Sequence, residues 1–169
     1  FGTYQSYRSS YWANQMIYEE IAKFAKDLPK LGAIIGLDLG TKTIGIAVSD
    51  HTRNVATPLE TIKRQKFNKD AETLLKLCNN RALKGIILGL PRNMNGTEGP
   101  RAQSTRAFAR NFSQKTNLMI TYWDERLSTV AAEKLLLEVN TSRKRRSELI
   151  DHVAASYILQ GALDRLRQF

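Results

Sequence analysis

The sequence predicts an α/β fold built on one mixed sheet, and three observations carry that prediction. Apolar, strand-like runs follow one another without interruption from Ile34 to Ile62. From Asn68 onward such runs alternate with segments of helical spacing. One later run, Gly85 to Leu90, is apolar at every position, as a strand buried on both faces should be. A meander gives antiparallel neighbours and strand–helix–strand units give parallel ones, so both pairings belong to the same sheet.

Taken in order, residues 1–30 read as an amino-terminal extension. Tyr4, Tyr7, Tyr11 and Trp12 lie among serines in a chain that starts at Phe1, a composition that a fragment, a processed form or a cloning remnant would share. From about Met16 the spacing of Ile17, Ile21, Phe24 and Leu28 predicts an amphipathic helix ending before Pro29 and packed on the domain. Ile34 to Leu39 and Ile44 to Ser49 form a hairpin around the turn Gly40-Thr41-Lys42-Thr43, and Val55 to Ile62 gives a third strand. A helix follows over 68–81, with Ala71, Leu74, Leu75 and Cys78 inward. The strand from Gly85 to Leu90 stops at Pro91 and leads into an Asn- and Gly-rich loop, a mobile flap or a plain connection. The remainder reads as a helix over 101–115, a strand from Leu118 to Trp123, a helix over 128–139 capped by Ser128, and a basic loop from Thr141 to Arg146. A last helix over 147–167 has Leu149, Val153, Tyr157 and Leu163 inward.

With 169 residues, 42% of them hydrophobic, the chain suits one domain with a proper core. Its formal charge of +10 suits a polyanionic partner such as nucleic acid. One cysteine, Cys78, excludes an internal disulfide, and with only His51 and His152 as histidines there is no zinc-ligand spacing. No apolar run approaches the roughly 18 residues of a membrane span, and nothing resembles a secretory signal. The expectation is a reduced, soluble, cytoplasmic protein.

The chemistry is concentrated around Asp38, an acid in the middle of the apolar run from Ile34 to Leu39. An unpaired buried carboxylate costs several kcal/mol, so Asp38 is expected to face a cleft, a cation or a partner. Gly36 and Gly40 flank it at two-residue spacing, which leaves that face of the strand open to a ligand or to another backbone, while Leu37 and Leu39 face the core. Asp124 and Glu125 directly follow the strand ending at Trp123, at the end where open α/β sheets bind ligands. Asp151 lies in the first turns of the last helix beside Ile150 and Val153. Carboxylates from three distant segments converging on one cleft suit Mg²⁺ or Mn²⁺, which take oxygen ligands and serve phosphodiester hydrolysis.

The segments GLDLGTKTIGIAVSD, ILGLPRNMNGTEGP, WDERLST and ELIDHVAASYILQGAL resemble, in order, the motifs of the YqgF family of Holliday-junction resolvases and pre-16S rRNA nucleases, within the ribonuclease-H-like superfamily. The resemblance runs from about Leu31 to Leu166. It implies a five-stranded mixed sheet, its first three strands antiparallel, flanked by helices, with residues 31–169 as a metal-dependent nuclease domain. It also implies Asp38 as the first-strand acid, Glu125 or Asp124 as the second, and Asp151 as the acid of the last helix. Strand alternation sets Asp124 and Glu125 on opposite sides, and Glu125 is the preferred ligand.

Phosphate contacts are expected from Arg143, Lys144, Arg145 and Arg146, four adjacent cations shortly before Asp151, and from Lys42 beside Asp38. A run of four cations is also what a solvated loop looks like. Arg126 either supports a phosphate or pairs with an acid. The activity implied is processing of the pre-16S rRNA 5′ end in ribosome biogenesis, with resolution of branched DNA as the alternative. Two rival readings remain: a non-catalytic RNA-binding assembly protein, and the phosphate loop of an actin-like ATPase or sugar kinase, although those hold nucleotide between two such domains. A monomer or weak homodimer is expected.

Overall fold

The computed structural model describes residues 16–127 and 143–169, the side chains of 143–151 excepted. Among the described residues, six strands and four helices follow one another along the chain. They are β1 (Ile17–Tyr18), α1 (Ile21–Asp27), β2 (Ile35–Leu39), β3 (Thr43–Ser49), β4 (Ala56–Lys63), α2 (Phe67–Asn80), β5 (Gly85–Leu90), α3 (Pro100–Ser113), β6 (Met119–Asp124) and α4 (Arg143–Leu166), with a 3₁₀ turn, Glu125–Leu127, directly after β6. The sheet order is β1-β6-β5-β2-β3-β4. Strands β2, β3 and β4 form the antiparallel meander, while β2, β5 and β6 run parallel.

The two faces of the sheet are covered by different helices. Ile35, Leu37 and Leu39 of β2 pack with Leu74 and Cys78 of α2 and with Phe108 and Phe112 of α3. The other face is covered by α4 and α1, through Ala154, Ala155, Ile158, Leu159, Ala162 and Leu163 on α4, Phe24 on α1 and Leu28 just after it. Cys78 is the expected core residue, and burial pushes its thiol up to about 11. Strand β5, between β2 and β6, is buried at all six positions, which accounts for its unbroken apolar run.

The extension departs from the helix expected from Met16. Ile17 and Tyr18 form a sixth strand parallel to β6, and the helix starts only at Ile21. Without β1, β6 would be an open edge. Met16 supplies a carbonyl to Ile120 N at 2.7 Å, and Tyr18 supplies one to the Thr121 hydroxyl at 2.8 Å. At the opposite edge, Pro58 sits in β4, where a missing N–H is tolerated, next to a bulge opposite Ile46 and Ala47.

A second departure concerns α4, which begins at Arg143 rather than Ser147. The expected basic loop is therefore helix from Arg143 onward. Arginine and lysine are good helix formers, and no Gly or Pro interrupts 143–147. Asp151 accordingly lies in the third turn. The helix expected over 128–139 lies outside the described residues.

Candidate active site at the carboxyl ends of the strands

Asp38 occupies the expected place: β2, one residue from its end, 4% exposed. The flanking glycines serve two purposes. A Cβ at Gly36 would lie 2.7 Å from Leu159 Cβ and 3.2 Å from the Ala155 carbonyl oxygen, so the bare face of Gly36 admits α4, not a ligand. At Gly40 a Cβ would meet the Thr43 carbonyl oxygen at 3.0 Å, and Gly40 N donates to that carbonyl at 2.9 Å to close the turn. Asp38 lies between them on the face that α4 covers.

The register of β2 and β5 pairs Leu37 with Leu88, which sets Gly89 next to Asp38 on the neighbouring strand. A Cβ at Gly89 would stand 2.8 Å from Glu125 Oε1 and 2.5 Å from Ile158 Cδ1. The Glu125 carboxylate therefore lies over Gly89, folded back from the 3₁₀ turn onto the α4 side of the sheet. Across the other strands, Asp38 pairs with Gly45 and Gly45 with Thr61, whose hydroxyl lies 3.0 Å from His152 Nδ1. The backbone of residue 151, next to His152, is thus at the level of Asp38; its side chain lies outside the described residues. Asp38 and Glu125 come together, and the helix carrying Asp151 passes beside them.

Asp124, the neighbour of Glu125, has a different environment. Arg126 grips its carboxylate through Nη2 at 2.7 Å and Nε at 3.1 Å, and the Arg126 backbone N–H adds a bond at 3.0 Å. The hydrogen bond from Arg126 holds the Asp124 carboxyl below the usual aspartate range against the opposing effect of burial. Arg92, just past β5, reaches Asp124 at 4.0 Å and Glu98 at 3.5 Å. Glu98 in turn receives Arg106 Nε at 2.5 Å and Nη2 at 2.9 Å, and Arg106 bonds Glu19 at 2.7 Å. This ladder of alternating charge leads from the extension to the end of β6. Of the two roles open to Arg126, the structure exhibits pairing with an acid.

Lys42 is exposed in the β2–β3 turn. Arg143 to Arg146 form the first turn of α4, and their side chains lie outside the described residues. Sequence reasoning overlooked Arg92, whose Nε is buried without a hydrogen-bond partner among the described residues. Its signal was available, because it follows Pro91 at the carboxyl end of a parallel strand, where ligands of such sheets gather. The Asn93–Gly99 loop is held to this region by Arg126, whose Nη1 bonds the Met94 carbonyl at 3.4 Å.

Comparison with known proteins gives the family and the fold. The family model described as RuvX, Holliday junction resolvase, matches residues 32–165. A protein of Ruegeria pomeroyi bearing the name "Putative pre-16S rRNA nuclease" is 68% identical over 152 residues, covering 90% of this chain and 99% of its own. A protein of the same name from Paracoccus denitrificans is also 68% identical over 152 residues, covering 96% of its own length. Among solved structures, Thermus thermophilus RuvC in complex with Holliday junction substrate superposes with a TM-score of 0.50 at 12% identity, covering 80% of this chain and 96% of that one, and so shares its fold. With the family model spanning most of the chain and these relatives matching nearly their whole length, this chain belongs to the RuvX family and is a nuclease.

Proposed function

We propose that the protein is a divalent-metal-dependent endonuclease acting in the cytoplasm on the pre-16S rRNA 5′ end, as a monomer or weak homodimer, with residues 31–169 as the nuclease domain and 1–30 as an extension. The observation that carries this reading is the Glu125 carboxylate lying over Gly89 beside the buried Asp38. The donor set fits the group: Asp38 and Glu125, joined by Asp151, offer carboxylate oxygen and neither sulfur nor imidazole, the choice of Mg²⁺ or Mn²⁺. When bound, the metal activates water and stabilises the leaving oxygen of the phosphodiester.

The chain's own residues do the rest. Gly89 gives Glu125 room to reach back over the sheet, and the Asp124–Arg126 pair holds the turn from which Glu125 projects. Lys42 and the cations 143–146 bind backbone phosphates, contacts that position a strand without reading its sequence. Among the described residues no helix is long and apolar enough to cross a membrane.

The test is cleavage of labelled pre-16S rRNA and of a labelled four-way DNA junction, side by side, with Mg²⁺, Mn²⁺ or chelator. The expected result is metal-dependent cutting of the RNA precursor, reduced at least about a thousandfold in Asp38→Asn, because ligand loss removes several kcal/mol of transition-state stabilisation. Preferential cutting of the junction would favour resolution of branched DNA instead. Wild-type rates in Asp38→Asn would remove the proposed site.

A further inference from the structure

Beside Lys42, the nuclease reading leaves three further lysines on the same rim of the sheet unassigned. The β3–β4 register sets Thr43 opposite Lys63, which brings Lys63 beside the turn that holds Lys42. Arg64 fastens the two segments, donating its backbone N–H to the Lys42 carbonyl at 2.9 Å and Nη1 to the Gly40 carbonyl at 2.7 Å. Lys66 and Lys69 follow at the start of α2. Lys42, Lys63, Lys66 and Lys69 are all exposed, and among the described residues none of them forms an ion pair. The nearby acid Asp70 is buried and turned inward, accepting the Gln65 N–H at 3.0 Å. Four exposed lysines on one strip outnumber the exposed acids three residues from them, Glu60 and Glu72, and invite a polyanion.

We infer that this strip is a phosphate-binding track, along which the backbone of the nucleic acid runs from the carboxylates at the end of β2, across the β2–β3 turn and the end of β4, to the start of α2. The inference rests on the nuclease reading and adds the direction in which the substrate leaves the site. Adjacent strands are about 4.8 Å apart, so ammonium groups on flexible stems at Lys42 and Lys63 reach neighbouring phosphates. Arg64 keeps the track in shape by bonding to backbone, so it is left intact in the test.

The test compares two variants of equal net charge. In the first, Lys42, Lys63, Lys66 and Lys69 are all changed to Gln. In the second, Lys23, Lys26, Lys30 and Lys84, exposed on α1 and before β2 and β5, at the opposite ends of the strands, are changed to Gln. Binding of a labelled RNA hairpin of mixed sequence is titrated with monovalent salt in chelator, and melting temperatures verify folding. The first variant should bind at least about tenfold more weakly, with the slope of log affinity against log salt reduced by about 3, since each lost contact removes roughly 0.7 to 0.9. The second should keep the wild-type slope. Equal slopes in wild type and first variant, or equal losses in both variants, would overturn the track. If the first variant binds as wild type while wild type still cuts RNA, the track fails and the nuclease reading stands. If wild type cuts nothing and the first variant still loses its slope, the nuclease reading fails and the binding track stands.

Discussion

Two neighbouring residues at the end of β6 serve opposite sides of the sheet. On the side of α3, Asp124 is the end of an ion-pair ladder, its carboxylate gripped by Arg126 and approached by Arg92. On the side of α4, Glu125 leans over Gly89 toward Asp38. A carboxylate whose oxygens are taken by guanidinium groups stiffens a loop; a half-buried one brought beside a buried acid has the makings of a cation site. Residue type and sequence position barely distinguish the two. Their neighbours on the adjacent strands do.

The sharpest way to break this comparison is to neutralise each acid in turn. Glu125→Gln should lower metal-dependent cleavage at least about a thousandfold with little change in melting temperature. Combined with Asp38→Asn it should add little, because ligands acting as a unit give strongly non-additive losses. Asp124→Asn should cost no more than about tenfold in rate, since a partly exposed ion pair is worth roughly 1 kcal/mol. An inactive Asp124→Asn beside an active Glu125→Gln would reverse the assignment.

Two glycines on the α4 side refine the same contrast. Gly89→Ala pushes against the tips of Glu125 and Ile158, which can swing aside, so the fold should hold while cleavage falls by about a hundredfold, the cost of misplacing a reacting group by about 1 Å. Gly36→Ala pushes against Leu159 Cβ and the Ala155 carbonyl, which cannot move unless α4 does. It should cost about 1–3 kcal/mol of stability, read as a melting temperature lower by roughly 3–10 °C. Equal stability losses in the two variants would show that Gly89, too, serves only helix packing.

The smallest effect concerns the ladder. The hydrogen bond from Arg106 holds the Glu98 carboxyl below the usual glutamate range, with Arg92 adding to it. A carboxyl with a lowered folded-state pKa contributes stability that is fully present above its unfolded value of about 4.3 and is lost as pH falls through the lowered folded value. Thermal melts at descending pH should therefore fall more steeply through that window for wild type than for Arg106→Met. The difference should be about 1 kcal/mol or less. Parallel curves would show that the ladder adds nothing to stability.

Much of this was legible in the chain. Asp38 stood out because an acid inside an apolar strand needs a reason to be there, and the unbroken apolar run of β5 marked a strand covered on both faces. Strand alternation separated Asp124 from Glu125, but the reach of Glu125 over Gly89 depends on the 3₁₀ turn, which no periodicity announces. Strand β1 was hidden because a two-residue strand takes its stability from the edge of β6, not from its own spacing. The cations Lys63 and Lys66 were anonymous surface residues until the register of β3 and β4 set them beside Lys42. Arg92 was signalled only by its place after Pro91 at the end of a parallel strand; its approach to Asp124 needs β5 and β6 side by side.

Helix α4 is seated on bare backbone at Gly36 and Gly89 and presses its own Gly161 against Trp123, where a Cβ would meet the indole at 2.9 Å. Two notches in strands and one in the helix itself act together as a detent. The helix has one resting position along its axis, and a slip by a single residue would carry every side chain about 1.5 Å onward and about 100° around. The part of α4 that carries Asp151 is thus indexed by contacts made further along the same rod, on β2, β5 and β6. Inserting one alanine between Asp151 and Ala155 would leave all three notches filled and still rotate the backbone at residue 151 by about 100° around the helix axis.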